Sequence, residues 1–320
     1  MELALMMAIF LAGIILIVKG GNYFVDAASW IAEVSGIPKL VIGATIVSVA
    51  TTLPEMLVSM MAAAQGKVDM SVGNAVGSVT ANLGLIMAIS LLCMPGLIRR
   101  KDYFVKSVLM MAAAAIVVIG GWHGGVGPGL SAALLAVFVL FLFENMRCAR
   151  NAVAATGGRP GYMRMSPRKK EVLFNCVKFA AGAIGVVLGA DMLVDSGSAL
   201  ARLVGVSERI IGVTIVAVGT SLPELVTTVA AVAKKQSALS VGNILGANIL
   251  DLTLILPLSA VVSGKPLPIA DASAAVDLPA CLLAGAIAVL PPVFTARFHR
   301  WQGAALLGVY AAYLMLTCRA

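Results

Sequence analysis

The chain is dominated by long apolar runs, most of them about 16 to 27 residues long and nearly free of charge. A run of about 18 or more apolar residues can cross the hydrocarbon core of a bilayer as a helix. Charged residues make up 12% of the 320 residues, whereas a soluble domain carries roughly 25%. We therefore predict an all-α, polytopic membrane protein and exclude a soluble domain.

We predict ten transmembrane helices. The first run starts near Glu2 rather than with basic residues, and no small-residue cleavage site follows it, so we interpret it as a helix and not as a signal peptide. The five cysteines form no CxxC pair, which argues against a zinc site or a disulfide framework. The approximate limits of the spans are 3–28, 40–64, 70–96, 104–121, 124–143, 172–195, 210–233, 238–262, 272–293 and 300–318.

Basic residues divide the loops into two sets. The loops that follow spans 3, 5, 7 and 9 hold 15 of the 23 lysines and arginines. Because cytoplasmic loops are enriched in these residues, we place these loops in the cytoplasm and both termini outside the cell membrane. The net charge of +8 then reflects topology, and no nucleic-acid partner is predicted. The fifteen residues are Arg99, Arg100, Lys101, Lys106, Arg147, Arg150, Arg159, Arg164, Arg168, Lys169, Lys170, Lys234, Lys235, Arg297 and Arg300.

The chain contains an internal duplication. A shift of 169 residues (212 − 43) aligns the halves without a gap from residue 13 to residue 82, and places ATTLPE at 50–55 on GTSLPE at 219–224. Each half has five spans, an odd number, so the second copy enters the membrane inverted. Inverted repeats are typical of transporters that bind their cargo near the midplane, between the repeats. We predict two five-helix repeats, at 1–146 and 172–320, joined by a basic cytoplasmic linker at 147–171.

Three acids stand alone inside apolar spans: Glu55 in span 2, Glu224 in span 7 and Asp251 in span 8. A carboxylate at the centre of a bilayer costs about 2.5–3.5 kcal/mol on insertion scales. Spans 2, 3, 7 and 8 contain no lysine or arginine that would offset this cost. The acids must therefore be protonated or be neutralised by a bound cation.

Further oxygen-bearing groups surround these acids in both halves. Hydroxyl side chains precede each glutamate by three and four residues, on the same helix face. The proline before each glutamate removes the helical partner of the carbonyl four residues earlier, and such carbonyls coordinate ions at transporter sites. The residues are Thr51, Thr52, Pro54 and the carbonyl of Ala50 in span 2; Thr220, Ser221, Pro223 and the carbonyl of Gly219 in span 7; Ser78 and Asn82 in span 3; and Ala247 and Asp251 in span 8.

These groups are hard oxygen ligands, and no suitably placed His or Cys accompanies them. Calcium takes 6–8 oxygens in flexible geometry, and two glutamates with two threonines supply about that number. Soft transition metals are disfavoured. The alternative is that the threonine-proline-glutamate runs only kink their helices, but it does not explain why the cluster is duplicated in inverted form.

The paired strings, followed by SVGNAVGS at 71–78 and SVGNILGAN at 240–248, resemble the two alpha repeats of the cation/calcium exchanger superfamily. More narrowly, they resemble those of its prokaryotic sodium/calcium exchangers. The resemblance covers both repeats and the ten-span layout. It implies a secondary active antiporter that exchanges Na⁺ for Ca²⁺ across the cytoplasmic membrane by alternating access, with these ions as cargo and no organic cofactor.

By this resemblance, Glu55 and Glu224 are the central Ca²⁺ ligands. The other implied residues are Thr51 and Thr220 beside that site; Asp251, Asn82, Ser78, Thr52 and Ser221, which complete it and the adjoining Na⁺ sites; and Ser48 and Ala217, which flank them. The chain departs from the family pattern at Ala50 and Thr52, where Gly and Ser are usual, and at Ala247, which lacks the hydroxyl of Ser78. We expect such departures to shift Na⁺ affinity or Ca²⁺ selectivity without changing the mechanism.

Several alternatives stay open at this point. The nearest are proton/calcium exchange and K⁺-dependent sodium/calcium exchange; by the resemblance, Asp251 favours the sodium-coupled branch. An intramembrane enzyme is disfavoured because His123 and His299 both lie in loops and equal duplication does not suit acid/base catalysis, which needs unequal pKa values. A passive cation channel would carry Ca²⁺ without a countergradient.

The expected partners are the lipid bilayer and the cations; the oligomeric state is open, with a monomer as the expectation.

Overall fold

The computed structural model describes residues 2–155, 169–203, 205, 217–271 and 273–319. Within these ranges the chain is almost entirely helical, which confirms the predicted fold class. Eight of the described helices are long and apolar enough to cross a membrane, namely all except α7 and α10. The helices are α1 Glu2–Ser35, α2 Lys39–Ala64, α3 Val68–Cys93, α4 Arg100–Trp122, α5 Pro128–Ala155, α6 Lys169–Leu203, α7 Leu222–Ala233, α8 Ser237–Ser263, α9 Ser273–Thr295 and α10 Arg300–Arg319.

The helices occupy the predicted spans, with differences at their ends. Helix α1 continues to Ser35, beyond the predicted end at residue 28. Helix α5 continues to Ala155 and α6 begins at Lys169, so both ends of the predicted linker at 147–171 are helical. The middle of that linker lies outside the described residues, as does the first part of span 7. The division into two domains therefore stays a prediction.

Helices α1 and α6, the first helices of the two repeats, pack along each other at very short range. Glycines make this contact possible because their missing side chains let the backbones meet. A Cβ atom on Gly20 would lie 2.8 Å from the backbone nitrogen of Val186, and one on Gly189 would lie 2.7 Å from that of Ile17. Glycines 20 and 189 are equivalent under the 169-residue shift, so the duplication itself produces this pair.

Two short strand pairs show how the repeats are oriented. Strand β1, Gly96–Leu97, follows the third helix of the first repeat and pairs with β4, Arg297–Phe298, which follows the fourth helix of the second. Strand β2, Gly125–Val126, follows the fourth helix of the first repeat and pairs with β3, Leu267–Pro268, which follows the third helix of the second. In parallel repeats, equivalent helix ends would meet instead. The repeats are therefore antiparallel, as the odd number of spans predicts.

The centre of the molecule is formed by α3 and α8. Most of the side chains in these two helices are buried, whereas only about a fifth of those in α1 and α6 are. Their apolar residues join one large core that includes Val76 and Leu83 of α3 and Ile244 and Ile249 of α8. Polar residues on these central helices therefore face protein and not lipid.

Candidate cation site

The lone acids of the two halves meet in the interior of the protein. Glu55, Glu224 and Asp251 are 1%, 0% and 0% exposed. The carboxyl group of Glu224 lies beside Thr51, Thr52 and Glu55, and the Thr52 hydroxyl donates to its Oε1 at 3.2 Å. Asp251 lies within electrostatic range of both glutamates. The structure thus brings together three acids that are up to 196 positions apart (251 − 55).

Most of the carboxylate oxygens in this cluster have no hydrogen-bond partner. Within the described part of the chain, both oxygens of Glu55, both of Asp251 and Oε2 of Glu224 are buried without one, as are Oδ1 of Asn82 and Oγ of Ser221. Buried polar atoms of native proteins are normally hydrogen-bonded, and an exception requires an explanation such as an ion. The unpartnered atoms are oxygens from both repeats, on α2, α3, α7 and α8 and at Ser221, immediately before α7. They are of the chemical type that binds hard cations.

The helices α3 and α8 change their winding at equivalent points. A π-helical turn begins at Asn82 in α3 and at Asp251 in α8, and these two residues are related by the same shift of 169. Such turns, with hydrogen bonds from i to i+5, are rare and often mark functional sites. The α3 segment that carries Ser78 packs against the turn that carries Asp251. Ser78 and Asn82 are buried there at 4% and 1% exposure.

The threonine-proline-glutamate runs differ between the repeats. Pro54 lies inside the continuous helix α2, whereas the helix of the second repeat is interrupted at Ser221, so that Pro223 lies in the first turn of α7. Thr220 is half-buried at the end of a short helical turn, Ala217–Thr220, that precedes this break and packs against α3. The surroundings of the Ala217 side chain lie outside the described residues. The structure therefore distinguishes two runs of similar sequence, because Pro223 starts a helix whereas Pro54 lies within one.

On the first-repeat side, Thr51 and Ser48 are both buried. The Thr51 hydroxyl lies 3.3 Å from the carbonyl of Ser48 and 3.2 Å from Oδ1 of Asn243 on α8. The Ser48 hydroxyl donates to the carbonyl of Thr45 at 3.1 Å. The bond between Thr51 and Asn243 joins the first-repeat run to the second repeat, and the other two contacts lie within α2.

Two asparagines belong to the site although the sequence analysis assigned them no role. Asn74 donates to the carbonyl of Glu55 at 3.2 Å and to the hydroxyl of Ser59 at 2.8 Å. Its equivalent, Asn243, accepts from Thr51 and donates to the Thr227 hydroxyl at 3.1 Å. Each asparagine thus fixes a run that carries a glutamate. In the sequence, each of them is the amide residue of a repeated SVGN string within a mainly apolar span, and this repetition is the feature that could have indicated a role.

Among the described residues, no group of three or more His, Cys, Asp or Glu side chains is arranged closely enough to hold a metal ion by itself. The other oxygens that the structure shows at the site belong to hydroxyl and amide side chains. The arrangement therefore combines two adjoining carboxylates from opposite repeats with neutral oxygen donors.

Comparison with known proteins defines the family. The model of the family described as sodium/calcium exchanger protein matches residues 5–146 and 174–319, which is most of both repeats. The chain belongs to the sodium/calcium exchanger family. The match confirms the superfamily that the repeated strings resemble.

Individual relatives of this exchanger cover nearly its whole length. Sodium/calcium exchanger MaX1 of Methanosarcina acetivorans is 30% identical, over 96% of this chain and 97% of that protein. A putative antiporter, CaxA of Alkalimonas amylolytica, is 28% identical over 96% of each chain. A solved structure of the sodium-calcium exchanger NCX_Mj, soaked with Na⁺ and Sr²⁺, superimposes with a TM-score of 0.82 at 28% identity, over 98% of this chain and 99% of that one.

These comparisons decide between the classes left open by the sequence. The named relatives are exchangers and antiporters, so the chain is a membrane transporter and the enzyme alternative is excluded. NCX_Mj has also been solved after soaking with Na⁺ and Ca²⁺. Inorganic cations are therefore the cargo studied in that relative.

Proposed function

We propose that the protein exchanges Na⁺ for Ca²⁺ across the cytoplasmic membrane by alternating access. The observation that carries the proposal is the set of buried, unpartnered carboxylate oxygens contributed by both repeats at one place. Two adjoining carboxylates repel each other and are poorly solvated in the protein interior, and a bound divalent cation removes both costs. The names of MaX1 and NCX_Mj, both sodium/calcium exchangers, support the choice of ions.

In this proposal Glu55 and Glu224 hold Ca²⁺ between the repeats. Each contributes one or two oxygens, and Thr51 and Thr220 add hydroxyl or carbonyl oxygens beside them. This donor set approaches the 6–8 oxygens that Ca²⁺ takes. Among the described residues, neither Glu55 oxygen accepts a hydrogen bond from a hydroxyl, amide or backbone N–H group, which supports a role as cation ligands.

Sodium ions occupy the same region when Ca²⁺ is absent. The proposed donors are Asp251, Asn82, Ser78, Thr52 and Ser221, with Ser48 and Ala217 at the edge of the site. Three of these residues, Asp251, Asn82 and Ser221, carry buried oxygens without a hydrogen-bond partner. Because the acids are shared, Na⁺ and Ca²⁺ compete for them. The protein changes between the two access states only when bound cations neutralise these carboxylates.

We place both termini outside the cytoplasm. The loops after spans 3, 5, 7 and 9 then face the cytoplasm, in agreement with their lysines and arginines. The pairing of β1 with β4 joins two of these basic loops, so they lie on one side of the bilayer.

Any net charge moved per cycle couples transport to the membrane potential at about 2.3 kcal/mol per charge per 100 mV.

The test of the function is flux of radioactive Ca²⁺ into proteoliposomes with one cation gradient imposed at a time. We expect uptake when the vesicles are loaded with Na⁺ and the proton gradient is collapsed by an ionophore. Uptake driven only by a proton gradient would instead assign a proton/calcium exchanger. A requirement for K⁺ together with Na⁺ would assign K⁺-dependent exchange, and uptake without any countergradient would assign a channel.

Substitution of Asp251 tests its role toward Na⁺. Asp251→Asn is expected to weaken Na⁺ competition with Ca²⁺ by about tenfold, since a loss of about 1.4 kcal/mol changes an affinity tenfold. An asparagine already occupies the equivalent position, Asn82, at the start of the matching π-helical turn, so the geometry should persist. The measurement is the Na⁺ concentration that halves Ca²⁺ uptake. An unchanged value in this variant would remove Asp251 from the Na⁺ site.

A further inference from the structure

A cluster of ion pairs joins three helices away from the cation site. Asp26 of α1 accepts from Lys178 of α6 at 3.1 Å and from Lys234 at 2.5 Å. Lys234 is the residue that ends α7, and its ammonium group also donates to the carbonyl of Asn22 at 2.8 Å. We call Asp26, Lys178 and Lys234 the ion triad. It ties the tightly packed α1 and α6 pair to the turn between α7 and α8.

The duplication shows that this connection exists in one orientation only. The shift of 169 residues relates Asp26 to Asp195, so an acid is retained in the second repeat. The same shift relates Lys234 to Gln65, so this lysine is replaced by an uncharged residue. The residue 169 positions before Lys178 is Ile9, which precedes the start of the gapless alignment at residue 13. The turn between α2 and α3, which corresponds to the α7–α8 turn, therefore has Gln65 at the position of Lys234. Its own lysine, Lys67, stands two residues later, at the position of Gln236.

The region equivalent to the ion triad also carries more negative charge. Asn22 corresponds to Asp191, which adds a second acid one helical turn before Asp195. These two acids and Ile9 line a groove of about 450 Å³ at the opposite end of α1 and α6. Like charges at this spacing repel each other. The two equivalent regions thus differ in charge, since the ion triad combines one acid with two lysines and the region of α6 around Asp195 has two acids.

In a transporter built from inverted repeats, the two access states arise when the halves exchange their conformations. If the protein were symmetric, each state would have the same contacts and the same free energy. The ion triad breaks this symmetry because Lys234 has no equivalent lysine at position 65, and Lys67 of the α2–α3 turn stands two residues further along the chain. Closure on the α7–α8 side forms two ion pairs, whereas closure on the α2–α3 side places Gln65 toward Asp191 and Asp195.

We propose that Asp26, Lys178 and Lys234 are positioning residues that set which face of the exchanger is closed at rest, favouring closure at the α7–α8 turn. The proposal rests on the alternating access of the proposed function. The side chains of the triad are 23% to 44% exposed. Partly exposed pairs are worth up to about 1 kcal/mol each, so we expect a population shift of several-fold to about tenfold when the triad is broken.

The test compares hydrogen exchange at the two equivalent turns in the purified, cation-free protein. Lys234→Gln is expected to speed exchange of the amides of residues 235 and 236 by several-fold, and to slow exchange of those of residues 65 to 67. Lys178→Gln should change hydrogen exchange at both turns in the same direction as Lys234→Gln. Gln65→Lys places a cation at the position equivalent to Lys234. With the triad intact, it is expected to speed hydrogen exchange at residues 235 and 236 and to slow it at residues 65 to 67.

The outcomes distinguish a shift between the two access states from a local effect on one turn. Faster exchange at residues 235 and 236 with no change at 65 to 67 would mean that the triad only stiffens its own turn, and would overturn the proposal. So would a Gln65→Lys variant that leaves both turns unchanged. Lys234→Arg should restore the normal pattern because it keeps the charge. Failure of the proposed function would appear separately, as absence of Na⁺-driven Ca²⁺ uptake by the unmodified protein.

Discussion

Ca²⁺ uptake should fall by about 100-fold or more when either central glutamate is changed, Glu55→Gln or Glu224→Gln. Each substitution keeps the shape of the side chain and removes one of two adjoining negative charges. With Ca²⁺ bound, each carboxylate and the ion form a buried pair of opposite charges, and removing one partner of such a pair costs about 3–5 kcal/mol. A cost of about 2.7 kcal/mol already corresponds to a 100-fold loss of affinity. The measurement is initial Ca²⁺ uptake into proteoliposomes driven by a Na⁺ gradient.

A second measurement on the same variants excludes misfolding. Without cations, the substitution removes repulsion between buried acids, so the thermal midpoint should stay the same or rise. Addition of Ca²⁺ stabilises the unmodified protein by mass action, about 2.7 kcal/mol at 100 times the dissociation constant, and should leave the variants almost unchanged. Glu33→Gln is the control, since Glu33 is exposed and pairs with Lys39 away from the site. Normal uptake in either glutamine variant would refute the assignment of that glutamate.

The second large effect is expected at the contact between the repeats. A Cβ atom on Gly242 of α8 would lie 2.2 Å from the carbonyl oxygen of Leu40, and one on Gly43 of α2 would lie 2.3 Å from that of Leu239. Both obstacles are backbone atoms, so the helices must move apart to admit a methyl group. Gly242→Ala should therefore lower the free energy of unfolding by about 1–3 kcal/mol or more, as overpacking does.

The same substitution should weaken Ca²⁺ binding, because α2 carries Glu55 and α8 carries Asp251, and separating them enlarges the site. The measurements are the thermal midpoint without cations and the Ca²⁺ concentration for half-maximal stabilisation. Gly308→Ala is the matched control, since it also lies inside a helix and a Cβ atom there meets nothing within 4 Å among the described residues. Equal midpoints for the two variants would show that the close approach of α2 and α8 is not required.

Much of the site could be predicted because its signals are local. The isolation of Glu55, Glu224 and Asp251 in apolar spans, and the repetition of their neighbours, can be read without knowing which helices touch. Thr52 proved to be a direct partner of Glu224 across the repeats. Asn82 and Asp251 are equivalent in the sequence alignment of the two halves, and in the structure both begin π-helical turns.

Other features could not be predicted because they depend on the meeting of distant segments. Asn243 is an amide in an apolar helix by sequence, and only packing shows that it links Thr51 to Thr227. The interruption at Ser221 distinguishes two runs that look alike. In the sequence, Asp26 is only an acid near the end of the first predicted span. Its contacts with Lys178 and Lys234 form only when three helices are packed together.

By itself, the sequence determined the class of protein, the inverted duplication and the identity of the buried acids. These follow from hydrophobic length, the odd number of spans and the free-energy cost of charge in lipid, all of which act within single helices. Tertiary structure decided which oxygens face one another, which hydroxyls and amides are already engaged, and where the two halves differ. The physical reason is that hydrogen bonds and ion pairs form over about 3 Å, a precision that only the packing of helices from both repeats can set.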